Sequence, residues 1–121
     1  MAAASKKRRA AVAGALLDLD KYWAQAFGDI YLEDLNYSDL LFQMWLQREQ
    51  PLTKTGLYDF MPGISRRTAV KYVQDLVDRG LLEETSASHD RRIKHVAMTD
   101  ELNSRLERYL DFACERLGRL E

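Results

Sequence analysis

The chain has 121 residues, 46% hydrophobic and 31% charged, with 18 Lys plus Arg against 19 Asp plus Glu and a formal net charge of -1. That length suits one domain, leaves no room for a large two-domain enzyme, and buries roughly two-thirds of the surface the unfolded chain exposes. The balanced total excludes a uniformly basic coat for nucleic acid, but the charge is segregated. Residues 1–9 carry four basic side chains and no acid, residues 10–50 two basic and seven acidic, residues 51–99 eight and six, and residues 100–121 four and six. Within the third segment the cations gather at Arg66, Arg67 and Lys71 and again at Arg91, Arg92 and Lys94, two compact basic spots on an otherwise acidic chain.

The single cysteine, Cys114, excludes an internal disulfide framework and fits a reducing compartment. No apolar stretch approaches the roughly 20 residues that span a bilayer, so no membrane partner is expected. Lys6, Lys7, Arg8 and Arg9, followed by small apolar residues, imitate a secretory leader. The apolar run is short and Ala-rich, however, and Asp18 and Asp20 follow at once, so cytoplasmic residence is the expectation.

Residues 1–9 read as a disordered basic tail and residues 10–121 as a single domain. Val12, Leu16, Leu19, Trp23 and Ala26 recur at steps of four, three, four and three, which predicts a helix over about 10–27 with a narrow apolar stripe, ended by Gly28. Ser38 reads as the N-cap of a second helix reaching about Glu49, apolar enough at Leu40, Leu41, Phe42, Met44, Trp45 and Leu46 to belong at the centre of the fold. Pro51 stops it. Thr53 then caps a short third helix to about Met61, Pro62 and Gly63 form a turn, and Ser65 caps a fourth helix that runs to Arg79, with Gly80 in the stop position. Two short helices separated by about four residues have the dimensions of a helix-turn-helix.

Residues 81–85 and 93–98 bracket a polar stretch and read as a hairpin, the second strand by its period-two alternation. Thr99 or Asp100 opens a last helix in which Leu102, Leu106, Tyr109, Ala113, Leu117 and Leu120 repeat at steps of three or four. The fold class is therefore mainly α with a small β-hairpin, a winged helix-turn-helix with flanking N- and C-terminal helices. On a helical wheel the fourth helix buries Ala69, Val70, Val73, Leu76 and Val77 and turns Arg67, Thr68 and Lys71 outward. Asp75 and Asp78 follow on that outward face, so only the N-terminal half of the helix suits a polyanion.

The segments Leu52-Thr53, Ile64-Ser65-Arg66-Arg67-Thr68-Ala69-Val70 and Leu76-Val77-Asp78-Arg79-Gly80-Leu81-Leu82 follow one another at the spacing of a winged helix. After them Asp90-Arg91-Arg92-Ile93-Lys94-His95-Val96-Ala97-Met98-Thr99 forms the wing, similar to an acid-x-Arg pattern closed by Val-x-Leu-Thr. With these motifs residues 52–99 resemble the DNA-binding module of bacterial MarR-type transcriptional regulators. The resemblance implies a homodimer that binds a pseudo-palindromic duplex site specifically and catalyses no reaction. It also implies that Arg92 enters the minor groove while Asp90 orients it.

The residues suit that expectation. Arg66, Arg67 and Lys71 can donate to guanine O6 and N7 in a major groove, and Ser65, Thr68 and the first free backbone N–H groups can hold phosphate. Lys54 and Thr55 are placed for the flanking backbone, and Arg91 and Lys94 for phosphate beside the wing. The apolar stripes over 10–27 and 100–121 exceed what the chain covers by itself, so both are expected to pair with a second copy, setting two recognition helices about 34 Å apart.

Other readings stand beside these. The wing and basic helix face could instead dock an acidic protein partner. Lys6 to Arg9 suit either a DNA arm or a solubilising tail. Trp23, Trp45, Tyr22 and Phe42 suit core packing, or the pocket of a small-molecule effector, which similar regulators carry. Cys114 reads as a buried, inert thiol beside an apolar stripe, and His95 as a strand residue. His89, His95 and Cys114 lack metal-ligand spacing, and no nucleophile–base pair or Gly-rich phosphate loop is present, so neither an enzyme nor a cofactor is expected.

Overall fold

The computed structural model of the protein describes residues 3–120; the expected tail at residues 1 and 2 and the end of the last helix at residue 121 lie outside the described residues. The elements in order are α1 (Lys6–Phe27), a 3₁₀ turn (Gly28–Ile30), α2 (Leu35–Leu46), α3 (Lys54–Tyr58), α4 (Arg66–Asp78), β1 (Leu82–Ser86), β2 (Lys94–Met98) and α5 (Asp100–Gly118). The mainly helical winged-helix expectation holds.

Several boundaries differ from the expectation, each for a local reason. Lys6 to Arg9 are the first turn of α1 rather than a disordered tail, because Ser5 caps the helix by accepting from the Arg8 N–H at 3.1 Å and an Ala-rich stretch carries it onward. Gly28 does end α1, as expected, but with a right-handed φ of -65°; it opens the 3₁₀ turn, and Tyr31 takes the positive φ of 58°. The cap of α2 is Asp34, not Ser38: the carboxylate of Asp34 accepts from the Asn36 N–H at 2.7 Å. Ser38 lies buried one turn inside, its hydroxyl donating to Leu35 O at 2.8 Å. The helix stops at Leu46, short of Glu49.

Around the helix-turn-helix the expected caps are present. Thr53 accepts from Gly56 N–H at 3.2 Å, and Ser65 accepts from Thr68 N–H at 3.2 Å. Helix α3 is shorter than the sequence suggests and closes through turns over residues 58–64. Helix α4 ends in a Schellman closure: Gly80 has φ of 71°, and Leu81 N–H reaches back to Leu76 O at 2.9 Å.

Strands β1 and β2 pair antiparallel from Leu82 with Met98 to Ser86 with Lys94. Ala87 N–H donates to Ile93 O at 2.8 Å and closes the loop. At the Glu84–Val96 pair the Val96 N–H points away from β1 and donates to Leu52 O at 2.8 Å, so the approach to α3 adds one rung to the far edge of the hairpin.

The chain forms two compact units, residues up to Glu33 with those from Arg105 onward, and Asp34–Ser104. The first unit holds α1 and the part of α5 from Arg105 onward. In it the Trp23 ring stacks on Phe27 at 4.1 Å and meets Tyr109 edge-on at 4.9 Å, while its indole N–H donates to Leu32 O at 2.8 Å. Tyr22 stacks on Phe112 at 4.2 Å. Arg105 bridges Asp29 and Ala26 O, and Arg116 pairs with Asp18 at 2.8 Å. The second unit buries Leu40, Leu41, Met44, Leu57, Met61, Ala69, Val73, Leu76, Leu82, Val96 and Leu102. Phe42 and Trp45 are half-buried there, with the Arg48 guanidinium 3.8 Å over the Trp45 ring.

Leu16 is 55% exposed, as expected of a stripe the chain does not cover by itself. Two burial expectations are overturned. Val70 is 39% exposed rather than part of the buried face, because that face narrows to Ala69, Val73 and Leu76. Cys114 is an exposed free thiol, on the side of α5 away from Leu106 and Tyr109.

A Cβ built at Gly80 meets no atom within 4 Å, so any cost of adding one is conformational. Gly80→Ala is expected to lower unfolding stability by about 1 kcal/mol in urea denaturation, from the left-handed backbone alone. An unchanged midpoint would contradict this account of the helix stop.

Candidate nucleic-acid interface

The phase of α4 decides what its surface presents. Ala69, Val73 and Leu76, at spacings of four and three, are buried to 1% or less, which turns Arg67 and Lys71 to the opposite side. Arg66, Arg67 and Lys71 are exposed, and Thr68 is half-buried. Arg67 and Lys71 carry no ion pair or hydrogen-bond partner for their side chains among the described residues. Arg66 lies over the Tyr58 ring of α3 with its guanidinium 5.3 Å from the centroid, a cation–π contact that leans it toward α3.

The start of α4 adds backbone donors. Ser65 Oγ accepts from Thr68 N–H and donates to Thr68 Oγ1 at 3.0 Å, so both hydroxyls belong to the cap. The first intrahelical bond is Ala69 N–H to Ser65 O at 2.9 Å, which leaves the amides of Arg66 and Arg67 for an outside acceptor. The acids further along are occupied: Asp75 pairs with Arg79 at 3.2 Å, and Asp78 accepts from Gln74 Nε2 at 2.8 Å.

At the hairpin tip Asp90 holds Arg92 in three ways. It accepts from the Arg92 backbone N–H at 2.9 Å, from Nε at 3.2 Å and from an η-nitrogen at 3.1 Å, while the Arg92 side chain remains 90% exposed. The guanidinium hydrogen bonds, followed by the backbone N–H, hold the Asp90 carboxyl below the ordinary aspartate value of 3.8. Arg91 is exposed, as is His89, and Lys94 Nζ donates to Ser86 Oγ across the strand pair at 3.0 Å.

Lys54 and Thr55 part company. Thr55 is exposed at the start of α3, whereas Lys54 donates to Gln74 Oε1 at 2.9 Å and forms an ion pair with Glu84. The structure thus gathers Ser65, Arg66, Arg67, Thr68 and Lys71 on one helix end, and Asp90, Arg91, Arg92 and Lys94 on one hairpin. It draws Lys54 inward. Tyr72 of α4 is half-buried. Its ring stacks on Tyr37 at 4.7 Å and its hydroxyl donates to Asp34 Oδ2 at 2.9 Å, which anchors α4 to the cap of α2. That hydrogen bond is the first cause raising the Tyr72 pKa, and Asp34 is lowered by the Asn36 N–H it caps before any effect of Tyr72. Asp34 standing ahead of an apolar helical run was the readable signal.

Among the described residues no group of three or more His, Cys, Asp or Glu is placed to hold a metal, and no helix is long and apolar enough to cross a membrane.

No protein-family model matches the sequence, and no curated protein matches it significantly. Solved structures do share the fold. The transcriptional regulator Tm0710 from Thermotoga maritima superposes with a TM-score of 0.65 at 15% identity, over 96% of this chain and 79% of that one. A variant of S. aureus MepR bound to an oligodeoxyribonucleotide does so with 0.59 at 12% identity, over 93% and 80%. The transcriptional repressor CouR bound to a 23-mer DNA duplex gives 0.54 at 25% identity, over 91% and 78%. The fold is that of the MarR-type winged-helix transcriptional regulators.

The grip of Asp90 on Arg92 has a pH sign. A carboxyl depressed by its partner contributes to order above the ordinary value and loses that contribution as pH falls through its own, lower pKa. An NMR titration of the Asp90 side chain should therefore show a midpoint below 3.8, moving up to the ordinary range in Arg92→Ala. Identical midpoints in the two proteins would show that the pair does not persist in solution.

Proposed function

We propose that the protein binds duplex DNA sequence-specifically as a homodimeric transcriptional regulator and catalyses no reaction. The observation that carries this reading is the pair Arg67 and Lys71, exposed and, among the described residues, unpartnered beside two free amides, on the second helix of a fold that CouR and MepR bring to DNA. In it the N-terminal half of α4 enters the major groove. Arg66, Arg67 and Lys71 meet base edges and phosphates, Ser65, Thr68 and Thr55 line the backbone, and the acids of the C-terminal half stay clear. The wing brings Arg92 to the minor groove, oriented by Asp90, with Arg91 and Lys94 on phosphate.

The dimer follows from exposed apolar surface. Val12, Ala13 and Leu16 of α1, with Ala4, Arg8 and Arg9, line an open cleft of about 370 Å³, and Leu17 and Leu117 are exposed on the same unit. Covering such surface with a second copy gives the helices over 10–27 and 100–121 their role and sets two recognition helices one turn of duplex apart. The setting proposed for this function is the cytoplasm of a bacterial cell. For a small-molecule effector the same unit offers an open cleft of about 330 Å³ lined by Tyr22, Gln25, Ala26, Arg105 and Arg108.

Fluorescence anisotropy tests the reading. Affinity for a duplex selected from a random pool should fall with log salt at a slope near -0.9 per neutralised phosphate. Arg67→Ala should narrow the gap between selected and random duplex by about ten-fold. Arg92→Ala should weaken both more evenly. Absence of binding at about 50 mM salt would favour the protein-docking alternative. Separately, Leu16→Asp should move the sedimentation coefficient toward that of a monomer, and an unchanged dimer would place the interface elsewhere.

A further inference from the structure

We propose that Lys54 is a positioning residue, tying α3, α4 and β1 together and so setting the spacing between the recognition helix and the wing, rather than contacting phosphate. This rests on the DNA-binding reading above. A lysine at the start of the first helix of a helix-turn-helix is the residue one would give to the flanking phosphates, but here the ammonium is already spent. Nζ donates to Gln74 Oε1 on α4 at 2.9 Å and forms an ion pair with Glu84 on β1. Gln74 passes the connection on, its amide N–H donating to Asp78 Oδ1 at 2.8 Å. The orientation of that amide is consistent at both ends, because its oxygen faces a cation and its nitrogen a carboxylate.

Burial gives the network weight. The side chains of Lys54 and Glu84 are 29% and 26% exposed, so salt screens this pair less than an ordinary surface pair. Removing Lys54 would leave Glu84 half-buried without its counter-charge. A phosphate approaching Nζ would meet Glu84 directly and Asp78 one residue further along the network, two negative charges that oppose it. The elements joined are the ones whose spacing matters for DNA. Helix α4 carries Arg67 and Lys71, and β1 leads to the tip that holds Arg92. The approach to α3 is already fixed to β2 through Leu52 O and the Val96 N–H, and Lys54, two residues on, adds the polar tie to α4 and β1.

The two roles predict opposite signs for one substitution. Using the full chain, affinity for the selected and the random duplex is measured against salt for wild type, Lys54→Met, Glu84→Gln and the double variant. A positioning role predicts that Glu84→Gln and Lys54→Met each weaken the selected duplex about three- to ten-fold and that the double variant is no weaker than Lys54→Met. Random-duplex binding and the salt slope stay as in wild type. A phosphate contact predicts the reverse: Glu84→Gln, which removes a negative charge, binds tighter, and Lys54→Met flattens the salt slope by about 0.9. That result, or unchanged affinity in both variants, overturns the proposal while leaving DNA binding intact. Failure of the wild type to bind any duplex removes the underlying reading and this one with it. Thermal melting accompanies each variant, and if Lys54→Met does not fold, the sign of the near-isosteric Glu84→Gln decides alone.

Discussion

The rotational setting of α4 governs everything its surface can do. Ala69, Val73 and Leu76 go into the core of the winged-helix unit, and because successive residues turn by about 100°, their burial commits Arg67 and Lys71 to the far side. The Ser65 cap and the Gly80 closure then fix where the helix begins and ends, which decides that two amides lie free at the basic end. Apolar packing thus produces an electrostatic result.

The same economy runs through the acids. A chain of net charge -1 presents cations locally because its neighbouring carboxylates are engaged within the protein. Asp75 faces Arg79, Asp78 faces Gln74, and Asp90 orients Arg92 without covering it. Lys54 is the converse case, a cation taken out of the surface by Glu84 and Gln74. Counting charges along the segment would place Lys54 with Arg67. Its partners separate the two.

The terminal helices answer to a different constraint. In their unit the aromatic cluster of Trp23, Phe27 and Tyr109 provides the packing, with Trp23 satisfying its indole on Leu32 O. Elsewhere in the unit Ala15 is buried while Leu16, Leu17 and Leu117 are exposed. The regular stripe of α1 was legible in the sequence, but how far along it the chain's own packing reaches was not: Trp23 is buried while Leu16, two turns earlier on the same face, is exposed. Cys114 follows the same logic, since lying beside an apolar stripe does not decide which way a thiol turns.

What the sequence by itself determined is local. Thr53 with Gly56, Ser65 with Thr68, and the left-handed Gly80 involve groups within a few residues of one another, so caps, turns and helix order could be read before any packing was known. Asp34 was open to the same reading, although Ser38 drew attention from it. Only the tertiary structure decided that Lys54 meets Gln74 across 20 residues, Tyr72 meets Asp34 across 38 and Arg116 meets Asp18 across 98. Those partners are chosen by the packing of elements distant in sequence, and a side chain's spacing along the chain carries no record of what the folded chain brings beside it.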